Sequence, residues 1–187
     1  MTTRDLVLSA LFTAIIIVLG FLPPVPIPLL PVPITAQSMG VMLAGCIIGA
    51  RRGALAYVLL VVLVAVGLPV LSGGRGGLAV LIGPTGGYIF GWILGAFVTG
   101  LLAEKLVRED QSATKQMTGF FLASILGGIG VVYLCGMPWL SLVAGTPFDK
   151  VLFGSLAFIP GDLVKAAIAT LAARAVLVGY PLLPVRV

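Results

Sequence analysis

Between Asp5 and Arg51 the chain reads LVLSALFTAIIIVLGFLPPVPIPLLPVPITAQSMGVMLAGCIIGA, residues 6–50, without one charged side chain. A membrane-spanning helix takes about 20 mostly apolar residues, so this stretch holds two, split by its own prolines. Further uncharged runs cover 53–74, 76–103 and 116–148. A last apolar run, from about 151 to 178, is interrupted by Asp162, Lys165 and Arg174. The pattern predicts an all-α integral membrane protein, one polytopic domain over 1–187. Six transmembrane helices are expected near 4–22, 35–50, 53–70, 84–105, 117–136 and 151–178. Arg4 before an apolar run resembles a signal peptide, but the run is long and lacks a small-x-small cleavage site. It therefore reads as the first membrane helix.

Composition agrees. Of 187 residues 60% are hydrophobic and 9% charged, and the mean hydropathy is +1.23. Soluble domains carry about 25% charged residues. An ordinary cytosolic enzyme, a disordered chain, a nucleic-acid module and a secreted disulfide scaffold are excluded. The net charge of +5 follows topology. Arg4, Arg51, Arg52, Lys105, Arg108, Lys115, Arg174 and Arg186 fall on the side of the termini, against Arg75 and Lys150 on the other. By the positive-inside rule both termini and the loops near 51 and 105–116 are expected to be cytoplasmic, in a bacterial inner membrane. Membrane lipid is then the surrounding medium, and no nucleic-acid partner is needed to explain the charge.

The chain has no histidine and no asparagine. Cys46 and Cys135, far apart in apolar runs, read as buried free thiols. There is no nucleophile–base set and no metal-ligand cluster. Neither an enzyme nor a cofactor is expected.

Six of thirteen prolines lie between Pro23 and Pro33. Proline fixes φ and removes a donor, so this segment should be extended, partly polyproline-like. It is apolar and uncharged, which suits either a lid or a loop packed on helix ends. A second unusual loop, Leu71 to Tyr88, is rich in glycine, with Arg75 as its cation and Pro84 placed to start a helix. Amides at that helix start suit an anion or a carbonyl oxygen. Arg75 is either a solvated charge or a gate and carboxylate partner.

The motif Phe158-Ile159-Pro160-Gly161-Asp162-Leu163-Val164-Lys165 places two ionisable groups inside a span. Such charges are costly and persist when paired and facing a cavity. Three residues apart, Asp162 and Lys165 share a helix face. Arg174 follows about 18 Å further along the helix, which puts the pair in the outer half of the membrane. Gln37 follows the proline segment and offers both donor and acceptor. Tyr88 and Trp92 share one face, Tyr88 as a candidate wall and Trp92 as an interfacial anchor. Together these groups suit a small ligand with a cyclic urea or amide; a pair that merely locks helices is the alternative. In the first helix, Ala10 and Ala14 are small residues four apart. They permit close helix approach, either to a partner subunit or internally.

Val-Pro-Ile-Thr-Ala-Gln (32–37), Gly-Pro-Thr-Gly-Gly-Tyr (83–88) and Ile-Pro-Gly-Asp-Leu-Val-Lys (159–165) together resemble the BioY family. Its members are the biotin-specific S components of energy-coupling-factor (ECF) vitamin transporters. The resemblance spans nearly the whole chain. It implies the six-helix S-component fold and an outward-opening biotin site, with Asp162 and Lys165 binding the ureido ring. It further implies a pocket lined by the Gly83–Tyr88 region, namely Gly83, Thr85, Gly86 and Tyr88, with Gln37 close by. Ala10 and Ala14 would dock on the transmembrane energy-coupling subunit, which works with two ATPase subunits. The chain itself has no ATP-binding motif. Any family role of an asparagine side chain is unfilled here, leaving Arg75 or the amides near Gly83 as candidate partners of biotin's carboxylate. An S component for another vitamin such as thiamine, or a structural membrane subunit without a ligand, are the rival readings. A second copy of the chain stays open as a partner.

Overall fold

A computed structural model describes residues 2–28 and 30–184, with only the backbone at Ile27. Arg186 lies outside the described residues. Helix α1 spans Thr3–Gly20. It starts in a capping box, in which the Thr2 main-chain N–H donates to Asp5 Oδ2 at 2.7 Å and the Asp5 N–H to Thr2 Oγ1 at 3.3 Å. The proline segment is extended, as expected, but it also pairs with itself. Strands β1 (Val25–Ile27) and β2 (Leu30–Ile34) form an antiparallel hairpin, so the fold is not purely helical. A two-stranded ribbon has only edges, where proline's missing donor is tolerated.

A 3-10 turn, Ala36–Ser38, leads into α2, Met39–Ala65. Here the expected helices 35–50 and 53–70 correspond to two limbs of one stretch, broken at Gly49 with φ 82° and ψ −179°. Only glycine adopts that conformation readily. The chain reverses there: a Cβ on Gly53 would lie 3.2 Å from the Ala44 carbonyl carbon and the Gly45 nitrogen. Ala50, the first residue after the break, donates its N–H to Glu104 Oε1 at 2.8 Å, which satisfies a helix-start donor. The second limb stops at Ala65, short of the expected 70, because the chain turns at Gly67 with φ 98°.

A short helix not foreseen from the sequence, α3 (Leu78–Ile82), precedes α4 (Gly86–Leu106). Helix α5 (Ala113–Ala123) continues through a π-helical segment, Ser124–Val131, into α6, Val132–Ala144. This stretch outruns the expected 117–136 at both ends and stops at Gly145, where φ is 63°. The last expected helix is divided. Helix α7 (Phe148–Ser155) and a 3-10 turn (Leu156–Phe158) precede α8, Ile159–Gly179. Pro160 cannot donate to the preceding turn, so it falls in the first turn of the new helix.

Among the described residues five helical segments are long and apolar enough to cross a membrane: Thr3–Gly20, Ala36–Ala65, Gly86–Leu106, Ala113–Ala144 and Phe148–Gly179. The core is their common interior, with α2 packed most extensively on α4. Small residues allow that approach: side chains on Gly45 or Gly100 would collide with Thr99 or with the backbone at Gly49 and Ala50. At one end of the bundle Arg52 ties three segments together. Its Nε donates to Asp5 Oδ1 at 2.6 Å and its Nη1 to the Leu182 carbonyl at 3.1 Å. The hairpin lies at the opposite end, where Leu30 packs on Gly154 of α7.

Candidate functional site

The start of α8 brings Asp162 and Lys165 to the hairpin end of the bundle. Lys165 Nζ donates to Asp162 Oδ1 at 2.8 Å and to Ser38 Oγ at 2.9 Å. Ser38 sends its own hydroxyl hydrogen to the Thr35 carbonyl at 3.1 Å, which leaves its oxygen free to accept. Asp162 Oδ2 accepts from the Tyr133 hydroxyl at 2.6 Å. The two charged side chains are only 13% and 9% exposed. Burial of this kind is tolerated because each charge has a partner and further hydrogen bonds.

Bond counting shows what remains free. A carboxylate has roughly four lone-pair sites and an ammonium three hydrogens. Tyr133 and Lys165 occupy two of the former; Asp162 and Ser38 occupy two of the latter. What remains is acceptor capacity on Asp162 next to one donor on Lys165. That array matches a neutral group presenting N–H and C=O side by side.

The pair lines a cavity of about 440 Å³, its open mouth included, whose walls include Ser38, Trp92, Tyr133 and Phe158. The hairpin roofs it with Val32, Pro33 and Ile34. The aromatic rings meet edge-on: Tyr133 lies 6.4 Å from Tyr88 and 6.3 Å from Phe158 between centroids. A second cavity, about 330 Å³, adjoins the first across Val32, Pro33, Thr35, Tyr88 and Trp92. Arg75, Thr85, Gln37 and Leu71 line this second space. Half-burial draws the Arg75 guanidinium below its ordinary value, yet guanidinium stays charged at any physiological pH. Its Nε donates to the Ser72 carbonyl at 3.1 Å, within its own turn.

The sequence-derived candidates divide into groups. Asp162, Lys165, Tyr88, Thr85 and Arg75 all line one or both cavities. The Tyr88 hydroxyl is buried without a hydrogen-bond partner among the described residues. Gln37 lies at the edge of the second cavity, but its amide is already engaged. Nε2 donates to the carbonyls of Ile16 and Val70 at 3.2 and 2.8 Å, and Oε1 accepts from the Ser72 N–H at 2.9 Å and its hydroxyl at 3.3 Å. Gly83 and Gly86 line neither cavity. The Gly83 carbonyl accepts from Trp139 Nε1 at 2.9 Å, and Gly86 lets the Leu81 carbonyl approach too closely for any Cβ. They shape the turn that delivers Thr85 and Tyr88. Ala10 and Ala14 are exposed on α1, on the side away from the buried Ser9, Thr13 and Ile16.

Among the polar and aromatic wall residues, Ser38 and Tyr133 were not singled out from the sequence, and Phe158 entered only as the first residue of the Asp162 motif. Trp92, read there as an interfacial anchor, is buried in the shared wall. Serine, tyrosine and phenylalanine are ordinary in apolar helices, and their convergence depends on helix packing. Only the position of Ser38, next to Gln37 and just after the proline segment, carried a signal.

Comparison with known proteins shows the family. The pattern of the BioY family matches residues 1–181. A biotin transporter BioY of Rhizobium etli is 60% identical over 186 residues, covering 100% of both chains. One from Thermotoga maritima is 41% identical over 170 residues, covering 91% of this chain and 94% of that one. A solved crystal structure, the S-component for biotin from an ECF-type ABC transporter, superposes with a TM-score of 0.89 at 36% identity, covering 97% of each chain. The hairpin-roofed cavity and its Asp162–Lys165 pair thus sit in a chain that belongs to the BioY family.

Proposed function

We propose that this chain captures biotin as the S component of an ECF-type transporter, with no catalytic step of its own. The observation that carries the reading is the internally neutral pair of Asp162 and Lys165, 2.8 Å apart in the hairpin-roofed cavity. Biotin carries a cyclic urea. Its N–H groups suit the free acceptor sites of Asp162 and its carbonyl the remaining hydrogen of Lys165. The apolar and aromatic walls suit the fused thioether ring. The acidic tail reaches the adjoining cavity, where Arg75 pairs with its carboxylate and Thr85 and Tyr88 offer hydroxyls. Gln37 acts indirectly, by holding the loop that carries Arg75.

In the same reading the chain crosses the membrane six times, because the limbs of α2 on either side of Gly49 run in opposite directions. The termini and the loops near 51 and 105–116 face the cytoplasm of a bacterial cell, across its inner membrane, as the distribution of basic residues supports. The exposed Ala10–Ala14 face of α1 receives the transmembrane energy-coupling subunit, and two ATPase subunits drive the cycle. A second copy of the chain is a further candidate partner.

Calorimetric titration of the detergent-purified protein with biotin tests the reading, alongside Asp162→Asn and Lys165→Ala. Tight binding by the wild type, lost in both folded variants, is expected. Thiamine binding instead would assign the site to another vitamin. A folded protein that ignores both ligands would reduce the pair to a helix lock.

A further inference from the structure

Asp162 has a second partner besides Lys165, and that partner comes from another helix. Tyr133 is the second residue of α6, immediately after the π-helical segment Ser124–Val131. A π turn inserts slack into a helix and rotates the face that follows. Here the following face carries Tyr133 toward α8, where its hydroxyl donates to Asp162 Oδ2 at 2.6 Å. The ring has little freedom. It stands edge-on to Tyr88 at an interplanar angle of 80° and to Phe158 at 73°. Asp162 is therefore held on both oxygens by two different donors, one to each oxygen.

We infer that Tyr133 is a positioning residue for ligand capture: its hydroxyl holds Asp162 so that the carboxylate cannot close onto Lys165. A free carboxylate beside an ammonium can rotate to share both oxygens with it. In that closed pair neither group points cleanly at an incoming ligand. With Oδ2 held by Tyr133, only Oδ1 serves Lys165, and Asp162 keeps unused acceptor capacity where it lines the cavity. The orientation is set before the ligand arrives, which avoids an ordering cost at binding. This inference rests on the reading of Asp162 as a ligand contact.

The test is a cycle of four proteins titrated with biotin: wild type, Tyr133→Phe, Asp162→Asn and the double variant, each with its ligand-free melting temperature. Tyr133→Phe removes one oxygen and keeps the ring. It is expected to weaken biotin about three- to tenfold, the ordering cost of one freed side chain, with a moderately lower ligand-free melting temperature from the lost bond to Asp162. In the Asp162→Asn background the same change is expected to have little further effect, since Tyr133 acts through Asp162. Tyr133→His, which keeps a ring donor, is expected to recover part of the affinity. Unchanged biotin affinity in Tyr133→Phe would overturn the inference. So would fully additive losses, which would make Tyr133 an independent contact. Collapse of the fold in both Tyr133 variants would make the hydroxyl a structural support and equally overturn it. Failure of the wild type to bind biotin, or binding untouched by Asp162→Asn, is a different outcome and defeats the biotin reading itself.

Discussion

The side-chain amide of Gln37 holds Ser72 at two points, its Oε1 accepting the main-chain N–H at 2.9 Å and the hydroxyl at 3.3 Å. The same amide reaches Ile16 of α1 and Val70 of the loop. One side chain thus fastens the Arg75 loop to two helices. Gln37→Met keeps the volume and removes all four bonds, leaving buried carbonyls unsatisfied. A loss of about 2–4 kcal/mol in stability is expected, read as a lower melting temperature, with faster biotin dissociation as the loop loosens. Unchanged dissociation in a destabilised protein would separate the loop from retention of the ligand.

Gly49 makes the reversal of α2 possible, at φ 82°. Gly49→Ala forces an L side chain into backbone space that costs about 1–3 kcal/mol. The new methyl also meets the Glu104 carboxylate at 2.5 Å and Pro184 at 2.7 Å. Lower thermal stability is expected, by at least the backbone cost, while the affinity of the surviving folded fraction for biotin stays near wild type. The break and the cavity lie at opposite ends of the bundle.

Arg75 lines the cavity that adjoins the Asp162–Lys165 site. Arg75→Ala is expected to weaken biotin about tenfold or more, as for loss of a charge-assisted bond. Biotin methyl ester, which lacks the charge, should bind wild type and variant alike. Equal losses for acid and ester would mean that Arg75 shapes the loop and does not meet the carboxylate.

Ala10 and Ala14 are exposed, and neither lines the two cavities. Leucine at both positions should leave calorimetric biotin binding unchanged. The same variant should fail to co-purify with the transmembrane energy-coupling subunit, because the larger side chains keep the helices apart. Retained co-purification would move the docking surface elsewhere.

Much of this was legible in the sequence because membrane insertion writes itself into charge spacing. Uncharged runs located the helices, and the isolated Asp162 and Lys165 stood out against them. Ends were less legible where no charge marked a stop. The α5–α6 stretch ran on to Gly145, and α7 separated from α8 at the turn Leu156–Phe158, just before Pro160. The hairpin pairing of β1 with β2 was hidden because prolines suppress ordinary strand signals. The saturation of Gln37 and the approach of Tyr133 to Asp162 were not legible. Each joins segments that packing alone brings together, 35 and 29 residues apart.

The 2.8 Å pairing of Asp162 with Lys165 also has an electrical meaning. One unmatched charge carried across a membrane does work of about 2.3 kcal/mol for each 100 mV. Two opposite charges moving together do none. On the proposed reading, the pair therefore adds no net charge to the work that the resting voltage of the cell would do as the site is turned from one face of the membrane to the other.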